Sequence, residues 1–536
     1  MIVAASIALL PSGPLIAEKS DAPLSLIERG ERIYRTGVLA SGEVLQARVQ
    51  GDVPVSGKQV TCVQCHRRSG FGSTESERRV PPITAGILYS PKVIARRGLH
   101  ASRVEGAGTR PAYTDESLAR AIRNGIDPVG RNLDPSMPRF ALPDADMKAL
   151  VAYLKSLSAA TDPGVTETEL HIATLIGPGV EPQRSDAMLA VMNTYLEAKN
   201  SGTRNETRRA KFTPWQKDSS YPAYRRWVLH PWRLEGGPEQ WPDQLQHYYE
   251  KQPVFALIGG VVDGEFQRIA DFCNANKLPC LFPSSDLPAT NPGFYTLHFT
   301  AGRRLEADAL ATHLREEGLL EPDTDLLQIS RRTDATGADR FREAIQDEVA
   351  LQEVHPDAAA DKAFWKELGT ADVLVLWLDP SELNDLSVLP RPWPKRIYLQ
   401  STLNTKNLNS LPEALRKRIH LLYPYALPDT AAPQRLRVKT WLRLNGVEFD
   451  APRVQSDSYF ALTLFNDTMR SVGLNFSRSY AIETIEHMLD SALFTSLYPQ
   501  VSLAPEQRFA SKGCYIVRLP DAPSGKVVPA SRWIVP

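Results

Sequence analysis

Cys62-Val63-Gln64-Cys65-His66 is the stretch of this 536-residue chain with the most capacity for chemistry. Two thiols three positions apart, with a histidine directly after them, form a C-x-x-C-H run, the attachment pattern for a c-type haem. The thiols can add to the two vinyl groups along one edge of the macrocycle. His66 then lies under the iron and offers an imidazole nitrogen as axial ligand. With five Cys and ten His in the chain, composition alone expects this pattern about 0.001 times. A redox C-x-x-C pair and half a zinc site are the rivals. A zinc site would need a second ligand pair, and Cys273, Cys280 and Cys514 stand far along the chain.

Three helical segments are placed to build a pocket around this run. Ser25 to Arg35 reads as a short helix carrying Leu26, Ile27, Ile33 and Tyr34. Gly30 and Tyr34 share one face, and a glycine inside a helix makes sense where another helix crosses closely. Asp144 to Leu157 is the partner, with Leu150 and Tyr153 expected against Tyr34 and Asp144 as cap. Thr114 to Asn124 is the third, capped by Thr114 and ended by Gly125. An extended loop from Gly130 to Phe140 follows it. Met137, flanked by Ser136 and Pro138, sits there off any amphipathic face, and its thioether is a soft ligand suited to haem iron. Met147, within a helix, and His100 are rivals, and a methionine filling a core gap is the bland alternative.

The order of these features resembles a class I monohaem cytochrome c over about 135 residues: the Gly30/Tyr34 helix, Cys62 to His66, Pro81-Pro82-Ile83, Gly130 to Pro138, and the Leu150 to Leu154 helix. The resemblance implies one covalent haem c on Cys62 and Cys65, with His66 as proximal and Met137 as distal ligand of the iron. It also implies that Pro81 or Pro82 supplies a carbonyl to orient the His66 ring. Arg67-Arg68 departs from the small residues common after the haem histidine, which would alter the exposed haem edge.

The chain is 42% hydrophobic with 42 Pro, enough for two to four folded domains rich in loops. Its zero net charge hides an asymmetry. Residues 21–160 hold 20 Lys+Arg against 14 Asp+Glu, so they carry +6 and the remainder −6. A basic haem domain favours an acidic partner surface. Residues 1–20 are apolar for too short a run to span a membrane and resemble a secretory signal, with Ala17 as cleavage point. A buried N-terminal strand is the alternative. No other stretch is long and apolar enough to be a transmembrane segment.

The haem domain is read as residues 22–158 and all-α, with a polar linker at 159–169. From 170 to 525 strands alternate with helices, which implies parallel sheets covered on both faces. Two successive α/β series suggest two lobes with a cleft between them. The layout resembles a type I periplasmic binding protein of the amino-acid receptor branch, carried by LHIATLIGPG, by VFALIGGVVDGEFQRIADFCNANKLPCLFPSSDLPAT, by the SDSYFALTLFNDTMRSVG helix and by the KGCYIVRL strand. Ligand contacts then come from loops at the strand C-termini: Gly177, Gly260, Asp263, Ser284, Ser285 and Asp286. Amino-acid binders place small hydroxyl residues where this chain has Val261-Val262-Asp263 and Asp286. Two such carboxylates would repel a ligand carboxylate, so an ordinary α-amino acid does not suit the cleft. Lobes that no longer bind a small molecule are the competing reading. In an exported protein Cys273 and Cys280 are expected to form a disulfide, with Cys514 buried and inert. Trp227, Trp232 and Trp241, in an insertion-like stretch, are either core packing or a partner surface.

These features favour an exported, periplasmic electron-transfer protein rather than an enzyme. A protein redox partner, a periplasmic dehydrogenase or oxidase, is expected, with a small-molecule ligand at the fused module and no nucleic acid. The alternatives are a periplasmic solute sensor whose ligand modulates the haem, and an enzyme acting at a vacant iron site.

Overall fold

The computed structural model describes residues 24–49, 52–75, 78–93, 109–212, 225–332, 335–356, 360–383, 385–401, 408, 411–491, 496–520 and 525–536. The signal-like segment 1–20 and His100 lie outside them. The chain divides into two compact units, residues 1–159 and 160–536.

The first unit contains α1 (Leu26–Thr36), β1 (Gln46–Val49), β2 (Val53–Ser56), α2 (Cys62–His66), β3 (Thr74–Glu75), β4 (Arg78–Arg79), α3 (Ala85–Leu88), β5 (Lys92–Val93), β6 (Thr109–Arg110), α4 (Asp115–Asn124), β7 (Arg139–Phe140) and α5 (Asp144–Ser156). Local chemistry sets the helix ends. Ser25 and Glu28 form a reciprocal capping box at the start of α1, and Gly37 ends it in the left-handed region. Thr114 and Ser117 do the same for α4, which Gly125 ends. Gly30 is what lets α1 and α5 cross: a Cβ there would lie 2.0 Å from the Ala149 carbonyl oxygen and 2.7 Å from Tyr153 Cβ. Tyr34 and Tyr153 pack with ring centroids 5.1 Å apart, and Leu150 is buried beside them in the same core. Two expectations need correcting. The α5 N-cap is Pro143 without a side-chain bond, because the Asp144 carboxylate accepts from Arg123 instead, at 2.7 Å. The unit is also not purely helical: β2, β1 and β7 form a three-stranded antiparallel sheet.

The second unit runs β8 (Glu169–Ile176), α6 (Pro182–Phe212), β9 (Arg226–Arg233), α7 (Trp241–Lys251), β10 (Ala256–Ile258), α8 (Gln267–Ala275), β11 (Cys280–Leu281), β12 (Thr296–Leu297), α9 (Arg303–Glu316), β13 (Leu326–Ser330), α10 (Thr336–Ile345), β14 (Leu351–Val354), α11 (Lys362–Glu367), β15 (Val373–Trp377), β16 (Arg396–Leu399), α12 (Glu413–Arg416), β17 (Ile419–Tyr423), α13 (Pro428–Leu444), α14 (Pro452–Val472), α15 (Arg478–Ser491), β18 (Tyr515–Arg518) and β19 (Val528–Pro529). Five strands form one parallel sheet in the order β12-β11-β10-β8-β9. Seven form another, β14-β13-β15-β16-β17-β18-β19, with the last two strands antiparallel. The unbroken burial along β10, β13, β15 and β17 follows from helices on both sheet faces. The long α14 packs against α6, α13, α15 and β10.

Trp227, Trp232 and Trp241 are buried on β9 and at the start of α7, so packing is their role. The stretch read as a linker is anchored from Asp162 onward: its N–H donates to the Phe476 carbonyl at 2.9 Å and its carboxylate accepts from the Arg478 N–H at 2.6 Å. The expected Cys273–Cys280 disulfide is not formed. Both are buried free thiols, with Cys273 raised well above its ordinary range by burial and by its contact with Cys280. Cys514 is buried too, its sulfur accepting from the Tyr423 N–H at 3.1 Å.

Candidate functional site

The single turn of α2 places Cys62, Cys65 and His66 on one side, since positions three and four apart are neighbours on a helix. Burial, and then the nearby Cys65, push the Cys62 thiol up to about 12, while Cys65 is exposed. A redox C-x-x-C pair needs a lowered thiol pKa, so this environment disfavours that rival. His66 is 8% exposed, and its Nδ1 is 3.0 Å from the Pro81 carbonyl oxygen. A carbonyl can only accept, so the ring proton sits on Nδ1 and Nε2 presents its lone pair. Burial lowers the His66 pKa, against the opposing pull of Pro81, and keeps the imidazole neutral. Of the two prolines expected to orient the ring, Pro81 does so.

The backbone after His66 is pinned. Arg67 takes a φ of 62°, and the Tyr34 hydroxyl donates to its carbonyl at 2.6 Å. Ser73 Oγ donates to the Cys65 carbonyl at 3.2 Å and the Gly72 N–H to that of His66 at 3.1 Å. The Met137 loop is also built rather than loose. Asp127 accepts from the Val129 and Arg131 N–H groups and from Arg131 Nε. Asp134 accepts from Ser136 N–H and Oγ, and its carbonyl from the Met137 N–H. Arg139 donates to the Met137 carbonyl. Met137 is half-buried against the unit core, whereas Met147 is fully inside it at 3% exposure. These residues fit a covalently held haem: two thiols one turn apart, a preset imidazole lone pair, and a thioether on a braced loop.

In the second unit the C-terminal ends of β8, β10 and β11 converge. The Gly177 N–H donates to the Val261 carbonyl at 2.8 Å, and the Ser284 N–H to that of Gly260 at 2.9 Å. Gly260 has a φ of 111°, a turn that a side chain would strain. The expected repulsion by two bare aspartates does not hold. Arg184 clamps Asp263 at 2.5 and 2.9 Å, and Arg453 binds Asp286 at 2.5 Å. Burial acts to raise the Asp286 carboxyl, but Arg453, Arg303 and Arg184 together hold it below its ordinary range. Ser285 joins through its carbonyl, 3.5 Å from Arg453 Nη2.

Besides these arginines, four further participants escaped the sequence reading. Asp457 is one turn beyond Arg453 on α14 and 2% exposed, and burial pushes it up to about 7. Glu306, on α9, is raised by burial and accepts from the Ser401 N–H at 3.0 Å. Tyr425 and Tyr498 pack with centroids 5.3 Å apart. One signal was available for Asp457: it interrupts the buried Val454–Ala461 stripe of α14 at helical spacing. Among the described residues no group of three or more His, Cys, Asp or Glu is placed to hold a bare metal ion.

Residues 55–158 match the cytochrome c family model. Such a domain implies covalent binding of haem c. No curated protein is significantly similar to the chain. Among solved structures, the chain is similar to a fatty acid ABC transporter substrate-binding protein from Thermomonospora curvata, at 13% identity and a TM-score of 0.50, over 70% of this chain and 95% of that one. It also matches a branched-chain amino acid ABC transporter protein from Thermus thermophilus with bound valine, at 12% identity and a TM-score of 0.48, over 69% and 97%. Only the second unit is long enough to supply the 70% coverage. At this identity the first likeness shows the fold, that of a periplasmic binding protein. No helix among the described residues is long and apolar enough to cross a membrane.

Proposed function

We propose that this chain is an exported c-type cytochrome that transfers electrons through one haem, with a fused binding-protein module that recognises a ligand or partner. The observation that carries it is the His66 ring, held through Nδ1 by the Pro81 carbonyl so that Nε2 keeps its lone pair, within a C-x-x-C-H turn. In this reading Cys62 and Cys65 hold the haem covalently, and His66 and Met137 are its axial ligands. The bound haem supplies a one-electron couple, which a Met/His pair poises at high potential. Pro81 fixes the His66 tautomer, the Tyr34 bond braces the turn behind it, and the Asp127 and Asp134 turns hold Met137 on its loop. Filled axial positions favour electron transfer over catalysis at iron. The attachment chemistry and both resemblances favour the periplasm, with a dehydrogenase or oxidase there as redox partner.

The sensor reading, in which a bound solute modulates the haem, has support in the buried polar cluster around Asp457. The primary reading is tested on a denaturing gel stained for haem. Full-length protein should keep its haem through acid–acetone extraction, and the Cys62→Ala/Cys65→Ala double variant should lose it. Extraction of haem from the parent protein would overturn the attachment.

A further inference from the structure

Asp457 is the least satisfied charged side chain of the second unit's cluster. It is 2% exposed, and neither carboxylate oxygen has a hydrogen-bond partner of good geometry. Its neighbour Arg453 does not satisfy it: Nε stands 3.9 Å away, beyond hydrogen-bond reach, and Nη1 is committed to Asp286 at 2.5 Å. The Ser284 hydroxyl, 3% exposed, acts on the same carboxyl and also lacks a well-made bond. A carboxylate kept this deep without partners is costly unless something else pairs with it.

The surroundings define the partner. The two Asp457 oxygens accept only, and the Ser284 hydroxyl beside them can turn its O–H toward the carboxyl and leave its own lone pairs open to a donor. Arg453 is committed by its shortest contact to Asp286, and its weaker pull on Asp457 does not offset the burial of that carboxyl. Tyr425 and Tyr498 line the same cluster, and burial, with Asp457 adding to it and Arg453 opposing, raises their hydroxyls. A primary ammonium has one positive charge and three N–H donors. A ligand carboxylate would find the arginine already engaged. Ser284 follows β11 of the five-stranded sheet and Tyr425 follows β17 of the seven-stranded one, so the cluster joins the two sheets.

We infer that Asp457 and Ser284 form a binding site for the primary ammonium group of a small organic amine. This rests on reading the second unit as a ligand-binding module and gives that module a ligand class. Calorimetric titration of the full-length haem-loaded protein tests it with n-butylammonium chloride, tetramethylammonium chloride and sodium valerate at matched ionic strength. n-Butylammonium should bind and raise the melting temperature; tetramethylammonium, with no N–H, and valerate should not. Asp457→Asn should weaken n-butylammonium binding about tenfold or more. Ser284→Ala, a smaller change, should weaken it several-fold and serves where the first variant folds poorly. Valerate binding without n-butylammonium binding would overturn the ammonium assignment and leave the module a ligand-binding one. No binding by any probe would overturn both. Equal binding of tetramethylammonium, or n-butylammonium binding that both variants leave intact, would overturn the site.

Discussion

At the scale of single residues, two methionines differ in a way that tests the proposed ligation by Met137. Met137 is half-buried on a loop braced by Asp127, Asp134 and Arg139, while Met147 is sealed in the core of α5. Met137→Ala should lower the haem potential by on the order of 100 mV or more, since axial ligation sets it, and should let carbon monoxide bind the reduced iron. Met147→Ala should leave the potential in place and cost about 2–5 kcal/mol of stability through the cavity it leaves. The reverse pattern would reassign the ligand. Asp457 gives a pH prediction. Burial raises its carboxyl from the ordinary 3.8 to about 7, so the folded state holds the proton more tightly than the unfolded chain. Its contribution is therefore most favourable below pH 4 and is lost as pH rises to about 7. Asp457→Asn should remove that slope, gaining on the order of 2 kcal/mol over the parent between pH 5 and pH 7.5. Urea unfolding at the two pH values measures it, and parallel slopes for parent and variant would contradict it.

At the scale of elements, the crossing of α1 and α5 shows what a sequence makes legible. A glycine one turn from a tyrosine, and a periodic helix some 115 residues later, were enough to expect the contact, because only close backbone approach accounts for a glycine there. Gly30→Ala puts its Cβ 2.0 Å from the Ala149 carbonyl oxygen. It should destabilise the first unit by about 1–3 kcal/mol or more, seen as a lower urea midpoint of the haem absorbance, while the unfolding of the second unit stays unchanged. The haem turn was legible for the same kind of reason, since its chemistry is written in adjacent residues. The second site was only half legible. Strand periodicity located the loops of Gly177, Gly260 and Ser284, but the charges came out wrong. Arg184 and Arg453 neutralise Asp263 and Asp286 across 79 and 167 positions of sequence, and no local pattern encodes a partner that distant. The small sheet of β1, β2 and β7 was missed for a related reason: its strands are short, and β7 joins from far along the chain.

At the scale of the whole molecule, the question is where one folded unit ends. Composition alone marked residues 159–169 as a linker, because Thr, Asp, Pro and Gly dominate them. The structure anchors most of that stretch in the second unit. Arg478 donates to the Pro163 carbonyl at 3.1 Å, and Gly164 lies so close to Val254 and Phe255 that a Cβ would approach the Phe255 nitrogen to 2.1 Å. The Thr166 carbonyl accepts from Arg225 at 2.6 Å. Residues 158–161 are exposed and span the division between the units after Ala159. A protease needs an accessible stretch of chain, so it should cut in this short exposed window before it cuts within the anchored residues 162–169. Brief treatment of the haem-loaded protein with a broad-specificity protease should give a haem-staining fragment and a larger partner. The N-terminus of the partner, read by sequencing, should fall between residues 159 and 162. An N-terminus at 164–169 would mean that the Asp162–Arg478 and Pro163–Arg478 bonds open readily in solution. In that case the boundary of the binding-protein unit would belong at β8 rather than at Asp162.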